Sequence, residues 1–60
     1  MTLRVRFPAG TAGVHGRFKD QKSYEVYDTH LNLAQGITFL YLCDEDGELK
    51  WVADTAVRGR

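Results

Sequence analysis

Three side chains of this 60-residue sequence could act as a nucleophile or as a base: His15, His30 and Cys43. A Cys–His pair also needs an orienting third group and an oxyanion site, and the spacing of these residues assembles neither. A structural zinc site needs more ligands than these three residues and usually a Cys-x-x-Cys pair. The sequence therefore predicts a non-catalytic protein with no metal, no cofactor and no small-molecule substrate.

An acidic cluster could in principle bind calcium, because Asp44, Asp46 and Glu48 alternate as the early ligands of a calcium loop do. An EF-hand loop needs a further early oxygen ligand and ends with a bidentate glutamate, whereas here Lys50 and Trp51 follow at once. We therefore interpret the cluster as a solvated acidic turn.

Four arginines near the two ends of the chain could contact phosphates: Arg4, Arg6, Arg58 and Arg60. The planar guanidinium group donates paired hydrogen bonds that suit this contact. If the first and last strands are neighbours, the four side chains could bind nucleic acid. The alternative is a solvated sheet edge whose charges prevent aggregation, and the net charge of zero favours it.

The formal charge is unevenly distributed along the chain. Residues 1–22 contain five basic residues and one acidic residue, whereas residues 23–60 contain seven acidic and three basic residues. We therefore expect an electrically polarised molecule.

Short alternating segments separated by turn residues predict an all-β protein. The predicted strands are residues 2–7, 23–29, 37–43 and 49–52, with a last short strand at Val57. Residues 9–21 are predicted to form a long loop with an extended piece at 14–18, which is either functional or folded back. A helical turn is predicted at residues 30–35, and the alternative is a small α+β fold with a helix at 28–35.

The Asp46-Gly47 pair after an apolar strand predicts a two-residue hairpin turn. That turn fixes which side chains share a face of the sheet. One face would then carry Phe39, Tyr41, Cys43 and Val52. The other face would carry Leu40, Leu42, Leu49 and Trp51.

The segment from Gly47 to Val57 resembles part of an SH3 domain, in which a glycine-led strand runs through an aromatic and an aliphatic residue into a turn and a closing valine. The resemblance covers about a fifth of the chain. It implies one domain over residues 1–60, a five-stranded SH3-like small barrel with one 3₁₀ turn before the last strand. It also implies that Val52 and Val57 lie in the core and that Trp51 points outward.

The resemblance does not extend to the residues with which SH3 domains bind proline-rich peptides. Ala53 and Ala56 replace the proline and the tyrosine of the SH3 turn, and no tryptophan opens the third strand. Because that activity needs an aromatic-lined groove, we do not expect it here.

An inward Val52 would leave Leu40, Leu42, Leu49 and Trp51 on the outside of the barrel. Exposed apolar patches of this kind usually mark protein interfaces. The sequence thus predicts a protein-interaction module that binds a partner or forms a homodimer, with nucleic-acid binding as the alternative. The other possibility is that the long loop or the turn at 30–35 covers this face.

The cysteine content and the hydrophobic pattern predict a cytoplasmic location. Cys43 is the only cysteine, so no internal disulfide can form. The longest uncharged run, residues 29–43, contains several polar residues and cannot span a membrane. We therefore expect no membrane partner.

Overall fold

The structure, a computed structural model, describes the backbone of residues 3–59 and the side chains of residues 3–57. Its strands are β1 (Arg4–Arg6), β2 (Tyr24–Asn32), β3 (Ile37–Cys43), β4 (Leu49–Ala53) and the two-residue β5 (Arg58–Gly59). Two 3₁₀ turns lie at Ala12–Val14 and Asp54–Ala56, and the second agrees with the turn predicted before the last strand.

The sheet has the strand order β4-β3-β2-β1-β5, and each neighbouring pair is antiparallel. The all-β class is therefore confirmed, but the five-stranded barrel is wrong. Four strands of three or more residues form an open sheet, and the expected fifth strand amounts, within residues 3–59, to two residues that pair with β1. Among the residues described, no pairing joins β4 to β5, so the sheet does not close.

A register shift bends β2 and lets one strand serve both parts of the sheet. Its first residues pair with β1, where Val5 lies opposite Tyr24, and its remainder pairs with β3 as far as Asn32. The register shifts between Val26 and Asp28, which leaves Tyr27 as an extra residue. Such a bulge increases local bending and twist, so both parts of the sheet can contribute to one core.

The turn predicted at 30–35 begins later than expected, and the alternative helix at 28–35 is wrong. β2 continues to Asn32, and the turn occupies residues 33–36. It closes where the Gly36 N–H, at φ +66°, donates to the Asn32 carbonyl at 2.8 Å. Pairing with the apolar strand β3 outweighs the local preference for a turn at these residues, because it provides a continuous ladder of backbone hydrogen bonds.

The long loop at residues 9–21 folds back onto the sheet, which is one of the two alternatives predicted for it. The Asp20 carboxylate accepts hydrogen bonds from the N–H groups of Gly10 and Ala12, each at 2.9 Å. The Ala12 and Gly10 N–H groups lower the pKa of Asp20, because they stabilise the charged carboxylate. The extended piece predicted at 14–18 is absent, and a 3₁₀ turn and bends take its place.

The core combines residues of the sheet, the loop and the last segment. Its buried apolar members are Val5, Phe7, Ala12, Phe18, Tyr24, Leu40, Leu42, Val52 and Val57. The rings of Phe7 and Phe18 lie 4.9 Å apart, and Phe18 meets Tyr24 edge to face at 5.2 Å. Val52 and Val57 are core residues, as the SH3 resemblance implies.

The hairpin between β3 and β4 has a three-residue loop rather than the predicted two-residue turn. The Gly47 N–H donates to the Asp44 carbonyl at 3.1 Å, and the Asp44 N–H donates to the Glu48 carbonyl at 2.8 Å. Gly47 has φ +83°, as the left-handed residue that ends such a loop requires. One additional loop residue shifts the β3–β4 register by one. Each side chain of β3 then shares a face with the residues of β4 that were predicted to lie on the other face.

The predicted outward orientation of Leu40 and Leu42 is consequently wrong. Leu40 pairs with Val52 in the register, and both lie in the core, while Leu42 is fully buried. Because Phe18 belongs to the same cluster, the long loop covers this face. These two leucines are therefore covered by the long loop and do not form an exposed interface patch.

Candidate protein-binding face

The face of the sheet opposite the core carries four ring side chains. Tyr41 and Trp51 are register partners across β3 and β4, and His30 and Phe39 are register partners across β2 and β3. Alternation along β3 places Phe39 and Tyr41 opposite to the buried Leu40 and Leu42. We call His30, Phe39, Tyr41 and Trp51 the aromatic face.

Three of the four rings of the aromatic face pack against one another although they lie at the surface. Trp51 stacks on Tyr41 with ring centroids 4.5 Å apart and an interplanar angle of 26°. His30 meets Trp51 at 6.2 Å and 66°. A shallow cavity of about 380 Å³ is lined by His30, Phe39 and Trp51. Trp51 remains 48% exposed, so this stacked ring is available for contact.

Two further residues extend this surface toward the hairpin. Leu49 and Cys43 are register partners at the ends of β4 and β3, and Leu49 is 46% exposed. The Cys43 thiol is free and half-buried, and it donates a long hydrogen bond to the Asp44 carbonyl, with Sγ and O 3.8 Å apart. The prediction that Cys43 lies in the core is therefore wrong, for the same one-residue change of register.

The aromatic face lies in negatively charged surroundings. Asp28 is the register partner of Tyr41, and Asp54 directly follows Ala53, the partner of Phe39. Neither carboxylate forms an ion pair with any side chain in the described part of the chain. Lys50 is the only lysine or arginine between residues 23 and 57. It pairs with Leu42 in the register, on the opposite face of the sheet.

Of the three acidic residues predicted to form a solvated turn, Asp46 and Glu48 are exposed, whereas Asp44 is buried and holds the hairpin. Asp44 Oδ1 accepts hydrogen bonds from the N–H groups of Asp46 and Glu48, each at 2.9 Å, and Oδ2 lies 3.2 Å from Lys50 Nζ. The Glu48 N–H and the Lys50 ammonium group hold the pKa of Asp44 below its ordinary value. Asp44 therefore fixes the loop that sets the register.

Two basic residues that precede β2, Arg17 in the long loop and Lys22 just after it, pair with two further hairpin carboxylates, Asp46 and Glu45. Glu45 Oε2 accepts from Lys22 Nζ at 2.7 Å and from the Tyr24 hydroxyl at 2.6 Å. The Lys22 hydrogen bond is the largest cause of a lowered Glu45 pKa, and the same contact raises the pKa of Lys22. Arg17 Nε lies 2.9 Å from Asp46 Oδ2.

The predicted phosphate-binding arginines lie along the other edge of the sheet. Arg4 and Arg6 are exposed on β1, and Arg4 Nε donates to Ser23 Oγ at 2.8 Å. Arg6 is the register partner of Arg58 on β5, so the backbone places these two on adjacent strands as predicted. Arg60 lies outside the described residues.

The candidate catalytic residues lie in three separate environments. His15 stacks on Phe7 at 5.5 Å, His30 belongs to the aromatic face, and Cys43 ends β3. Within residues 3–57, no group of three or more His, Cys, Asp and Glu side chains is arranged to hold a metal ion.

Sequence reasoning recognised Leu49 and Trp51 but missed His30, Phe39 and Tyr41 as members of the exposed surface. The signal was present in the alternation of Phe39 and Tyr41 along β3. A three-residue hairpin loop would have paired Tyr41 with Trp51, as the structure does. A two-residue turn instead places Phe39 and Tyr41 beside Val52, and the helical turn predicted at 30–35 removes His30 from the sheet.

No protein-family model, curated protein sequence or solved structure matches this chain. The likeness of residues 47–57 to SH3 domains therefore stays a prediction from the sequence. Within the described residues, no helix has both the length and the apolar character needed to cross a membrane.

Proposed function

We propose that this chain is a non-catalytic protein-interaction module that binds a protein partner or a second copy of itself through the aromatic face. The observation that carries the proposal is the half-exposed Trp51 stacked on Tyr41, on the side of the sheet opposite the core. This surface replaces the predicted set of Leu40, Leu42, Leu49 and Trp51, of which only the last two are exposed.

Aromatic side chains suit this role because they bring large contact areas at low conformational cost. Tryptophan and tyrosine are enriched among the residues that dominate binding energies at protein interfaces. Stacking on Tyr41 restricts Trp51 before a partner arrives, so binding loses less side-chain entropy. The exposed Leu49 on the same strand face adds apolar area.

The proposed setting is the cytoplasm, where a reducing environment keeps the single thiol of Cys43 free. The proposed role needs no chemistry from His15, His30 or Cys43.

The proposal is tested by selecting binders from a random peptide library displayed on phage. We expect enriched peptides whose affinity falls at least about tenfold in Trp51→Ser, since loss of a central aromatic residue costs about 2 kcal/mol or more. Leu33→Ser is the matched control, because Leu33 is 83% exposed and lies in the turn after β2. Sedimentation velocity of the same three proteins tests self-association.

The proposal predicts that Leu33→Ser binds the enriched peptides as the unaltered chain does. Enriched peptides that bind Trp51→Ser with unchanged affinity would place the binding surface elsewhere. If, in addition, no oligomer dissociates on Trp51→Ser, the aromatic face is not an interface.

A second candidate function is nucleic-acid binding by Arg4, Arg6 and Arg58 on β1 and β5, which we call the arginine edge. The pairing of Arg6 with Arg58 on adjacent strands supports it. Arg4 and Arg6 are exposed, as phosphate contacts require. The aromatic face is poorly suited to stack bases in the same complex, because Asp28 and Asp54 would repel the phosphates.

A further inference from the structure

We infer that the partner of the aromatic face is a basic peptide segment, which places a guanidinium or ammonium group against the indole ring of Trp51. The inference rests on the proposed function and specifies the chemistry of the partner. It depends on three features of the described residues: the local charge, the available ring surface and the cavity beside that ring.

The first feature is the charge that remains after internal pairing. Three basic residues already contact the hairpin carboxylates: Arg17 at Asp46, Lys22 at Glu45 and Lys50 at Asp44. None of the ion pairs found among the described side chains involves Asp28 or Asp54. The aromatic face therefore has an unbalanced negative charge beside it, which attracts a cationic segment.

The second feature is the ring geometry. Tyr41 covers one face of the Trp51 indole, with centroids 4.5 Å apart, and Trp51 is still 48% exposed. The electron-rich face of an indole attracts cations within about 6 Å of the ring centre. Arginine in particular stacks on aromatic faces through its planar guanidinium group.

The third feature is the space that a side chain could enter. The cavity lined by His30, Phe39 and Trp51 has a volume of about 380 Å³ and lies on the face that also carries Asp28. Its apolar ring walls suit the methylene stem of a long basic side chain, whose charged end would remain near the carboxylates. An acidic or phosphate-bearing ligand would meet repulsion at the same place.

The test titrates two tryptophan-free peptides into the protein and follows the fluorescence of Trp51, the only tryptophan of the chain. One peptide is acetyl-Ser-Arg-Ala-Arg-Ser-amide, and the other replaces both arginines with citrulline, which has nearly the same shape and no charge. We expect saturable binding of the arginine peptide, and at least tenfold weaker binding of the citrulline peptide.

Charge variants test whether the carboxylates of Asp28 and Asp54, beside the aromatic face, contribute to peptide binding. The double variant Asp28→Asn, Asp54→Asn should weaken binding of the arginine peptide at least threefold. Glu25→Gln is the control, because Glu25 pairs in the register with Arg4, on the β1 side of the sheet. It should change the affinity less than the double variant does.

The outcomes separate this inference from the proposed function. Equal affinity for the two peptides, or no saturable change with either up to 10 mM (roughly 3 kcal/mol of binding), would overturn the inference. Library peptides that are neutral or acidic, but lose affinity in Trp51→Ser, would also overturn it and would leave the proposed function standing. Failure of both tests would reject the two together.

Discussion

Tyr41 and Trp51 lie opposite each other in the β3–β4 register and stack on the sheet face that the core does not use. Their neighbours Leu40 and Val52 pair in the same register and are buried. One hairpin register thus assigns these residues to the core or to the candidate binding face.

This division predicts opposite effects of the same substitution on the two faces. Leu40→Lys should abolish cooperative unfolding, because it places an unpaired charge in the core of a domain with limited total stability. Trp51→Lys should remain folded and lose no more than about 2 kcal/mol, mainly from the lost aromatic stack. Thermal unfolding followed by circular dichroism makes the comparison, and loss of folding in Trp51→Lys would contradict it.

The hairpin loop predicts a backbone effect at Gly47. Gly47→Ala should lower the free energy of unfolding by roughly 1 kcal/mol, because an alanine at φ +83° is strained. Gly13→Ala is the control, since a Cβ meets nothing within 4 Å at either position and Gly13 has no positive φ. Urea denaturation measures both variants. Equal effects would show that backbone conformation at Gly47 is not decisive.

The lowered pKa values of Asp20, Asp44 and Glu45 predict loss of stability in acid. Each group binds its proton less tightly in the folded state than in the unfolded state. Its stabilising contribution is therefore present above the unfolded pKa of about 4 and is lost as the pH falls through the lower folded pKa. Urea midpoints measured from pH 7 to pH 2 should decline through this interval, and the decline should be smaller in Asp44→Asn.

The hydrogen bonds of the Tyr24 hydroxyl group predict that removing this group lowers the free energy of unfolding. The hydroxyl donates to Glu45 Oε2 at 2.6 Å and accepts from the Lys19 N–H at 2.8 Å. Tyr24→Phe should lower the free energy of unfolding by about 1–3 kcal/mol, because both partners lose a hydrogen bond in a partly buried place. Tyr27→Phe, at a residue 56% exposed, should be within about 0.5 kcal/mol of neutral. Similar losses would contradict the proposed network.

The arginine edge makes a prediction about salt. If Arg4 and Arg6 contact phosphates of duplex DNA, replacing both with Gln should reduce the slope of log affinity against log salt by roughly two, without unfolding the domain. Fluorescence anisotropy with a labelled duplex and a labelled single strand at low salt measures this. No binding to either at about 100 μM protein would reject this second candidate function.

The strand pattern was predictable from the sequence because local signals at most strand ends agree with the pairing. The predicted span of β3 coincides with the observed Ile37–Cys43, which lies between Gly36 and the acidic hairpin. β2 was predicted too short, because the polar residues His30 and Asn32 look like a turn until β3 is placed beside them.

The faces were not predictable, because an Asp-Gly pair fits hairpin loops of both two and three residues. Asp44 decides between them by accepting the N–H groups of Asp46 and Glu48. That choice depends on side-chain hydrogen bonds which residue spacing alone does not specify. Barrel closure was likewise implied by the SH3 resemblance alone, and the two-residue β5 does not provide it.

The most direct test of the proposed binding function maps a library-selected peptide on the ¹⁵N- and ¹³C-labelled protein by nuclear magnetic resonance. The account predicts that saturating peptide shifts the Trp51 indole N–H and the ring signals of Phe39 and Tyr41, and leaves the core methyl signals of Leu42 and Val52 nearly unchanged. Shifts confined to Arg4, Arg6 and the long loop, with the Trp51 signal unmoved, would contradict it.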